Sequence, residues 1–175
     1  MLDPLTAEVS TMQYSIDVGN PNAPDVAALL AASEAHSHSL YPPEGVHMLD
    51  VRNLMAPSVC FLVARSPEGV AEGCGAIVIT GDSVAEIKRM YVAPAARGKG
   101  VGSLILQNLE AKAREAGVCV LRLETGPLQR EAIRLYQRFG YHERFPFGDY
   151  EASPWSLFME KEPNGDQNAT PNILS

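Results

Sequence analysis

The first part of the chain alternates apolar and polar residues in the way a half-buried strand does, and then changes to a helical period. Met12, Tyr14 and Ile16 are separated by polar residues, which predicts a strand near 12–18. After a turn, apolar residues recur at helical spacing and predict a helix from about 24 to 35. We expect a polar loop to follow, and then a second amphipathic helix over about 46–55.

The middle of the chain predicts three consecutive strands. Residues 59–64 and 70–80 are apolar runs separated by the turn at 66–69, a pattern typical of an antiparallel hairpin. A second turn at 81–82 leads to a third strand over 84–92. Three strands in a row favour a mixed α+β order over a regular alternation of strands and helices.

Helices and strands alternate in the last third of the chain. Apolar residues at helical spacing over 104–113 predict a helix, which Gly117 is placed to end. A strand over 118–124 follows, and the next helix, over 132–139, is closed by Gly140.

A final strand over 155–160 completes a pattern that predicts one mixed α/β domain. The chain has 175 residues, of which 46% are hydrophobic, and this length suits a single core. We expect the domain to span 12–162, with a flexible leader at 1–11 and a flexible tail at 163–175.

Composition narrows the classes of partner. The formal net charge of -7 gives no overall attraction to phosphate backbones, so nucleic acid is not an expected partner. Membrane association is not expected either, since no apolar run approaches the roughly 18 residues of a membrane helix. The start lacks the layout of a signal peptide, and Cys60, Cys74 and Cys119 lie in apolar stretches typical of buried, reduced thiols. A cytoplasmic location is therefore expected.

The segment RGKGVG at 97–102 places three glycines at alternate positions directly before a predicted helix. Backbone N–H groups at such a turn, with the positive end of the helix dipole, favour a bound phosphate. Between Glu86 and Gly102 basic residues outnumber acidic ones by three, although the whole chain is acidic. The alternative is a glycine turn that only allows close packing, and the flanking Arg97 and Lys99 favour the phosphate site.

Other phosphate sites fit this segment less well. A P-loop is excluded because Gly98 and Lys99 are followed by glycine, not by Ser or Thr. A dinucleotide site stays open as a rival, because Glu124 ends a strand where an acid would bind a ribose. The glycine pattern and the strands that precede it disfavour that rival.

Two blocks of sequence resemble the GNAT N-acetyltransferases. The pattern Arg97-x-x-Gly100-x-Gly102, preceded by MYVAP at 90–94, is similar to their acyl-CoA signature. The segment AIRLYQRFGY at 132–141 is similar to a helix and glycine-aromatic step late in the family. Together the blocks cover residues 84–142.

This resemblance implies a fold, a donor and a reaction. The fold would be a mixed, mostly antiparallel sheet flanked by helices, in which two central strands splay apart to admit CoA. Acetyl-CoA would be the co-substrate, without a metal, and a primary amine of a small molecule, amino acid or peptide would attack it directly in a ternary complex. Pairing of the final strands of two subunits in a homodimer is a further implication.

The resemblance also assigns roles to particular residues. Tyr136 would protonate the leaving thiolate, although a purely structural place on the apolar face of its helix is the alternative. Glu86 would deprotonate the amine through water, on a strand face that it is expected to share with Lys88 and Met90, or would simply pair with Lys88 or Arg89. The residues expected to bind CoA are Met90, Tyr91, Val92, Arg97, Gly98, Lys99, Gly100, Val101, Gly102 and Gln129, the last standing where many relatives carry Asn.

Two other kinds of chemistry find little support in the sequence. The four histidines and three cysteines show no metal-ligand spacing, and no cysteine has a basic neighbour to activate it as a nucleophile. A non-catalytic regulator that binds acyl-CoA is the rival function. The acceptor is not defined, because the residues from 36 to 55 and from 145 to 155, which should line its site, contain no motif for a particular amine.

Overall fold

The structure, a computed structural model, describes residues 13–163, so the predicted leader and residues 164–175 of the predicted tail lie outside it. The helices are α1 (Pro24–Leu40), α2 (Val101–Glu115) and α3 (Arg130–Arg138), and three short 3-10 turns lie at Pro43–Gly45, Val51–Met55 and Pro94–Ala96. The strands are β1 (Ser15–Val18), β2 (Val59–Arg65), β3 (Ala71–Gly81), β4 (Val84–Val92), β5 (Val120–Thr125), β6 (His142–Arg144) and β7 (Leu157–Lys161).

The seven strands form one sheet in the order β1-β2-β3-β4-β5-β7-β6. Every neighbouring pair is antiparallel except β4 and β5, which run parallel. The parallel pair is connected through α2, as a crossover between parallel strands requires. This arrangement confirms the mixed, mostly antiparallel sheet that the sequence predicted.

The parallel pair stays together over only half of β4. Residues Val84–Ile87 pair with Val120–Leu123, and the pairing stops there. Beyond that point β4 continues to Val92 beside β3, while β5 continues to Thr125 beside β7. The sheet therefore opens into a fork between the carboxyl ends of β4 and β5.

Two hydrophobic clusters cover the two faces of the sheet. On one face, α2 contributes Ile105, Leu106 and Leu109, each with no exposed surface, and α3 packs into the same cluster through Tyr136. On the other face, α1 packs onto β2 and β3. Helices therefore cover both faces of the sheet.

A bulge in β4 changes which side chains share a face. Arg89 has φ +59°, and the register with β3 shifts between the pairs that contain Lys88 and Tyr91. As a result Met90 packs against the α2 face, whereas Lys88 pairs with Ala76 on the α1 face. The prediction that Met90 shares the face of Glu86 and Lys88 is therefore wrong, because a bulge resets the alternation of the strand.

The region between the first helix and β2 differs from the prediction. Helix α1 continues through residues 36–40, which were predicted as a loop, and ends at Leu40. The next residue, Tyr41, has an extended backbone and precedes a pair of prolines. The predicted second helix at 46–55 is instead extended chain and the turn Val51–Met55, where Asp50 accepts a hydrogen bond from the Arg52 N–H. A single turn capped by Asp50 therefore stands where the sequence predicted a longer helix.

The end of the sheet also differs in detail. Strand β6 was not predicted, because it is three residues long and carries polar side chains only. The last strand begins at Leu157, two residues later than expected. Of the three cysteines, Cys74 is buried and Cys60 is partly buried, but Cys119 is exposed at the start of β5, so its predicted burial is wrong.

Candidate active site

The glycine-rich turn leads directly into α2. Gly98 and Gly100 have φ +78° and +79°, and Gly100 is the residue that precedes the first turn of the helix. The first N–H groups of a helix have no partners within it, so this turn presents donors and the positive end of the dipole to an anion. Arg97 is fixed beside it because its Nε donates to the Val92 carbonyl at 3.0 Å.

Replacing Gly98 with Ala is expected to weaken CoA binding by about tenfold. A residue with a Cβ in the left-handed region loses about 1–2 kcal/mol of stability. At Gly98 the added Cβ would also occupy open space on the surface that faces the groove, where the phosphate is expected to bind. Gly69, in the turn between β2 and β3, is the matched control, with φ +82° and equally open space. Both alanine variants should lose similar stability in denaturant, but calorimetry should detect weaker CoA binding only for Gly98→Ala. Equal CoA affinities would contradict a phosphate site at this turn.

A groove of about 680 Å³ runs from this turn to the fork. Its walls are the end of β4, the start of α2 and the side of α3. Of the residues predicted to bind CoA, it is lined by Met90, Tyr91, Val92, Arg97, Gly98, Gly100, Val101, Gly102 and Gln129. Lys99 lies outside this lining and is exposed on the same turn.

Gln129 is held at the start of α3. Its side-chain Oε1 accepts a hydrogen bond from the Gly126 N–H at 3.2 Å and lies 3.3 Å from the Thr125 hydroxyl. The glutamine therefore connects the end of β5 to α3, at a position where both the groove and the fork are accessible.

Tyr136 is buried at the junction of two cavities. It is 4% exposed and lines both the groove and a smaller cavity of about 110 Å³ at the fork. Its ring packs edge-on against Tyr141, with 5.8 Å between centroids. Burial, together with the charge of Glu124, raises the pKa of the Tyr136 hydroxyl, so the hydroxyl stays protonated at neutral pH.

Glu86 lies below the fork, in a cluster with Lys88 and Tyr150. Its Oε1 is 3.1 Å from the Lys88 ammonium and accepts a hydrogen bond from the Tyr150 hydroxyl, which itself accepts one from Lys88 at 2.6 Å. The pairing with Lys88 that the sequence left open is therefore present. Glu86 lines a separate open cleft of about 900 Å³, bounded by β4, Arg122 and the 147–153 loop.

Glu124 is a further carboxylate at the fork, and sequence reasoning considered it only for a ribose site. It is the first β5 residue beyond the last pair with β4, and it lines the same cavity as Tyr136. Burial is the largest cause that raises its pKa to about 7, and the Glu86 charge adds to this while Ser156 and Lys88 oppose it. The sequence offered one signal for this site: Glu124 is a charged residue directly before the Thr-Gly-Pro segment that ends the predicted strand.

The fork cavity is closed on the other side by α1 and the chain that follows it. His36 and Ser33 of α1 line it, together with residues 45–48. The Tyr41 hydroxyl accepts a hydrogen bond from the Leu128 N–H at 3.1 Å and so joins this wall to the turn before α3. Of the two segments predicted to line the acceptor site, part of 36–55 lies at the fork, whereas 147–153 line the separate cleft with Glu86. His36 is helical and not in a loop.

Two negative findings apply to residues 13–163 only. No helix among them is long and apolar enough to cross a membrane. No three His, Cys, Asp or Glu side chains within the same range are grouped closely enough to hold a metal ion.

A family model and a related protein of known sequence both indicate an acetyltransferase. The model of the "Acetyltransferase (GNAT) family" matches residues 28–141. An IAA acetyltransferase from Azospirillum brasilense is 45% identical over 137 residues, which are 78% of this chain and 89% of that protein.

Solved structures agree with this result. A protein from Klebsiella pneumoniae subsp. pneumoniae MGH 78578, assigned as an acyl-CoA N-acyltransferase, is 40% identical with a TM-score of 0.72, over 85% of this chain and 97% of its own. The PaiA N-acetyltransferase of Thermoplasma acidophilum, solved with coenzyme A, shares the fold at 16% identity and a TM-score of 0.67, over 85% of this chain and 98% of its own.

Proposed function

This chain belongs to the GNAT acetyltransferase family and is an acetyltransferase, and we propose that it moves an acetyl group from acetyl-CoA to a primary amine. The acceptor would be a small molecule, an amino acid or a peptide, and its amine would attack the thioester directly while both substrates are bound. The observation that carries the proposal is that Tyr136, a buried proton donor, lines both the long groove and the cavity at the fork.

The groove suits the donor. A pyrophosphate at the glycine turn would meet the N–H groups of the first turn of α2 and the positive charge of Arg97 and Lys99. The groove's volume of about 680 Å³ is that of a typical small-molecule site. The structurally similar PaiA protein was solved with coenzyme A, which supports this choice of ligand.

The pantetheine arm would lie along β4 at the fork. There the sheet has lost the neighbour that would pair with the second half of β4. An extended arm would take hydrogen bonds from the backbone in the manner of an added strand. The thioester would then rest near an N–H of Met90–Val92, which would stabilise the oxyanion as negative charge develops.

Tyr136 would supply the proton for the leaving group. A phenol, with a reference pKa of about 10, can protonate a thiolate whose reference pKa is near about 8.5. Because its pKa is raised, Tyr136 is protonated at neutral pH and has a proton to donate. Its ring packing against Tyr141 would fix the hydroxyl at the junction of the groove and the fork cavity.

The amine would approach from the α1 side of the fork and lose its proton to a carboxylate. The family resemblance implied Glu86 as this base, acting through water, but Glu86 lines the separate cleft below the fork. The Lys88 and Tyr150 contacts would orient that carboxylate.

The test is thiol release from acetyl-CoA against a panel of amines, amino acids and peptides, with CoA binding measured by calorimetry on the same preparation. Release that depends on an amine, with acetamide detected by mass spectrometry, is the expected result. Tight CoA binding without turnover on any amine would favour the non-catalytic regulator instead. Failure to bind CoA would overturn the assignment of the groove.

A further inference from the structure

The face of the sheet at the fork carries four charged side chains in alternation. Glu86 of β4 lies beside Arg122 of β5 in the parallel register, and the next residues on the same face are Lys88 and Glu124. Positive and negative groups therefore alternate both along the strands and across them. Glu124 is the member of this set that lines the cavity shared with Tyr136.

The contacts of the two carboxylates differ. Glu86 already takes hydrogen bonds from both Lys88 and Tyr150, and its side chain is 11% exposed. Glu86 is absent from the lining of the fork cavity, whereas Glu124 is part of it. An amine that enters the fork cavity would thus meet Glu124 without displacing the ion pair below.

We propose that Glu124 is the group that accepts the proton of the acceptor amine, and that Glu86 acts as a positioning residue for Lys88 and Tyr150. This inference rests on the proposed amine acetylation. It assigns the acid and the base to two residues, Tyr136 and Glu124, that line one cavity from α3 and β5 respectively.

The proton and electron balance is simple. The ammonium form of the acceptor gives one proton to the Glu124 carboxylate, which leaves a neutral amine and a carboxylic acid. The amine lone pair forms the C–N bond, the C–S bond breaks, and the thiolate takes the Tyr136 proton. The acetylated nitrogen then loses its second proton, which returns to Tyr136, and Glu124 releases its proton to solvent. One acetamide, one thiol and one proton are formed.

The surroundings of Glu124 suit this role. From β4 it faces Lys88 and Glu86, from α3 it faces Tyr136, and its charge also reaches Tyr41 and Tyr150. Ser156 approaches from the segment before β7. His36, His47, Arg89 and Tyr91 complete the titratable and charged lining of the cavity. A carboxyl whose pKa is about 7 is ionised just above neutrality and is a stronger base than an exposed one.

The experiment compares Glu124→Gln with Glu86→Gln, using an amine that the wild type acetylates. kcat/KM is measured from pH 5.5 to 10, and CoA binding is measured by calorimetry for each protein. Glu124→Asp is the third variant, because it keeps a carboxylate on a shorter side chain. An unfolding midpoint for every variant shows whether the fold is retained.

In the wild type we expect kcat/KM to rise with pH through about 7 and then level off, since the base must be ionised. Glu124→Gln should lower kcat/KM at pH 7 by about 10²-fold or more and abolish this rise, so that the rate follows the amine's own deprotonation at higher pH. Glu86→Gln should keep the rise and move it to lower pH, because a neighbouring negative charge is gone. Glu124→Asp should restore the rise in part.

Three outcomes would overturn the inference. The first is a Glu124→Gln variant whose kcat/KM depends on pH as in the wild type. The second is a rise of kcat/KM with pH that is lost in Glu86→Gln but kept in Glu124→Gln. The third is loss of CoA binding in both Glu124 variants, which would mean a structural role. A wild type that binds CoA but acetylates no amine would instead overturn the proposed function, which is a separate result.

Discussion

Replacing Tyr136 with Phe is expected to lower kcat by about 10²- to 10³-fold, while CoA affinity changes by less than about threefold. Phe keeps the ring that packs against Tyr141 and fills the same core position, so only the hydroxyl is lost. Without that proton donor, the thiolate must leave unprotonated or take a proton from water. Single-turnover thiol release and calorimetric CoA binding measure the two quantities separately.

Tyr141→Phe is the matched control for this variant. Tyr141 neighbours Tyr136 and is also buried, but its hydroxyl donates to Glu110 at 3.0 Å on the side of α2. Losing a buried hydrogen bond to a charged group should cost about 1.5–3 kcal/mol of stability and leave kcat nearly unchanged. If Tyr136→Phe retains wild-type kcat, the hydroxyl is not the acid and its burial is structural.

Replacing Gly126 with Ala is expected to be the most damaging small substitution at the fork. A Cβ there would lie 1.9 Å from the Tyr41 hydroxyl and 2.1 Å from its ring carbon Cζ. Tyr41 is only 6% exposed and its hydroxyl accepts from the Leu128 N–H, so it cannot move without breaking that bond. We expect about 2–3 kcal/mol of lost stability and at least a tenfold loss of kcat/KM, since a shift of about 1 Å at a site can cost more than that.

A double-mutant cycle tests whether the clash with Tyr41 causes the loss of stability in Gly126→Ala. Tyr41→Ala removes the side chain that the new methyl would strike, so Gly126→Ala should cost much less in that background. Chemical denaturation of the four proteins gives the coupling free energy. Equal costs of Gly126→Ala in both backgrounds would show that the clash with Tyr41 is not the reason.

The middle of the chain was predictable because its local signals agree with its tertiary environment. The predicted bounds of β4, residues 84–92, match the structure, and α2 ends where Gly117 adopts φ +75°. Apolar runs and glycine turns fix both features locally. Three consecutive strands predicted a mixed order of elements, whereas the mixed, mostly antiparallel sheet was implied by the family resemblance.

The errors arose where a local pattern has more than one structural solution. The His-Ser run at 36–39 has modest helix propensity, yet α1 continues through it to Leu40, just before Tyr41 and the prolines. Asp50 caps a single turn at Val51–Met55 where the sequence predicted a full helix. Neither outcome is visible in hydrophobic periodicity.

From the sequence, only the groove side of the candidate site could be predicted, and its role in binding CoA stays a prediction. The glycine turn and Tyr136 belong to short motifs, and the structure brings both to one groove. The importance of Glu124 depends on where the pairing between β4 and β5 stops, and the bulge at Arg89 decides which side chains of β4 face the fork. Both are tertiary features. The predicted homodimer stays a prediction.

The fork leaves two strand edges in the interior of a sheet, where most proteins have none. Edges normally invite other chains to pair, and proteins guard them with charges or bulges. Here α1, α3 and the chain at 45–48 surround the opening, and the β4 bulge with its buried Arg89 lies along one edge. The opening would therefore admit a narrow, flexible arm, as proposed, but would leave no room for a whole neighbouring strand. The same geometry that would receive a ligand should also protect the folded chain from edge-to-edge aggregation.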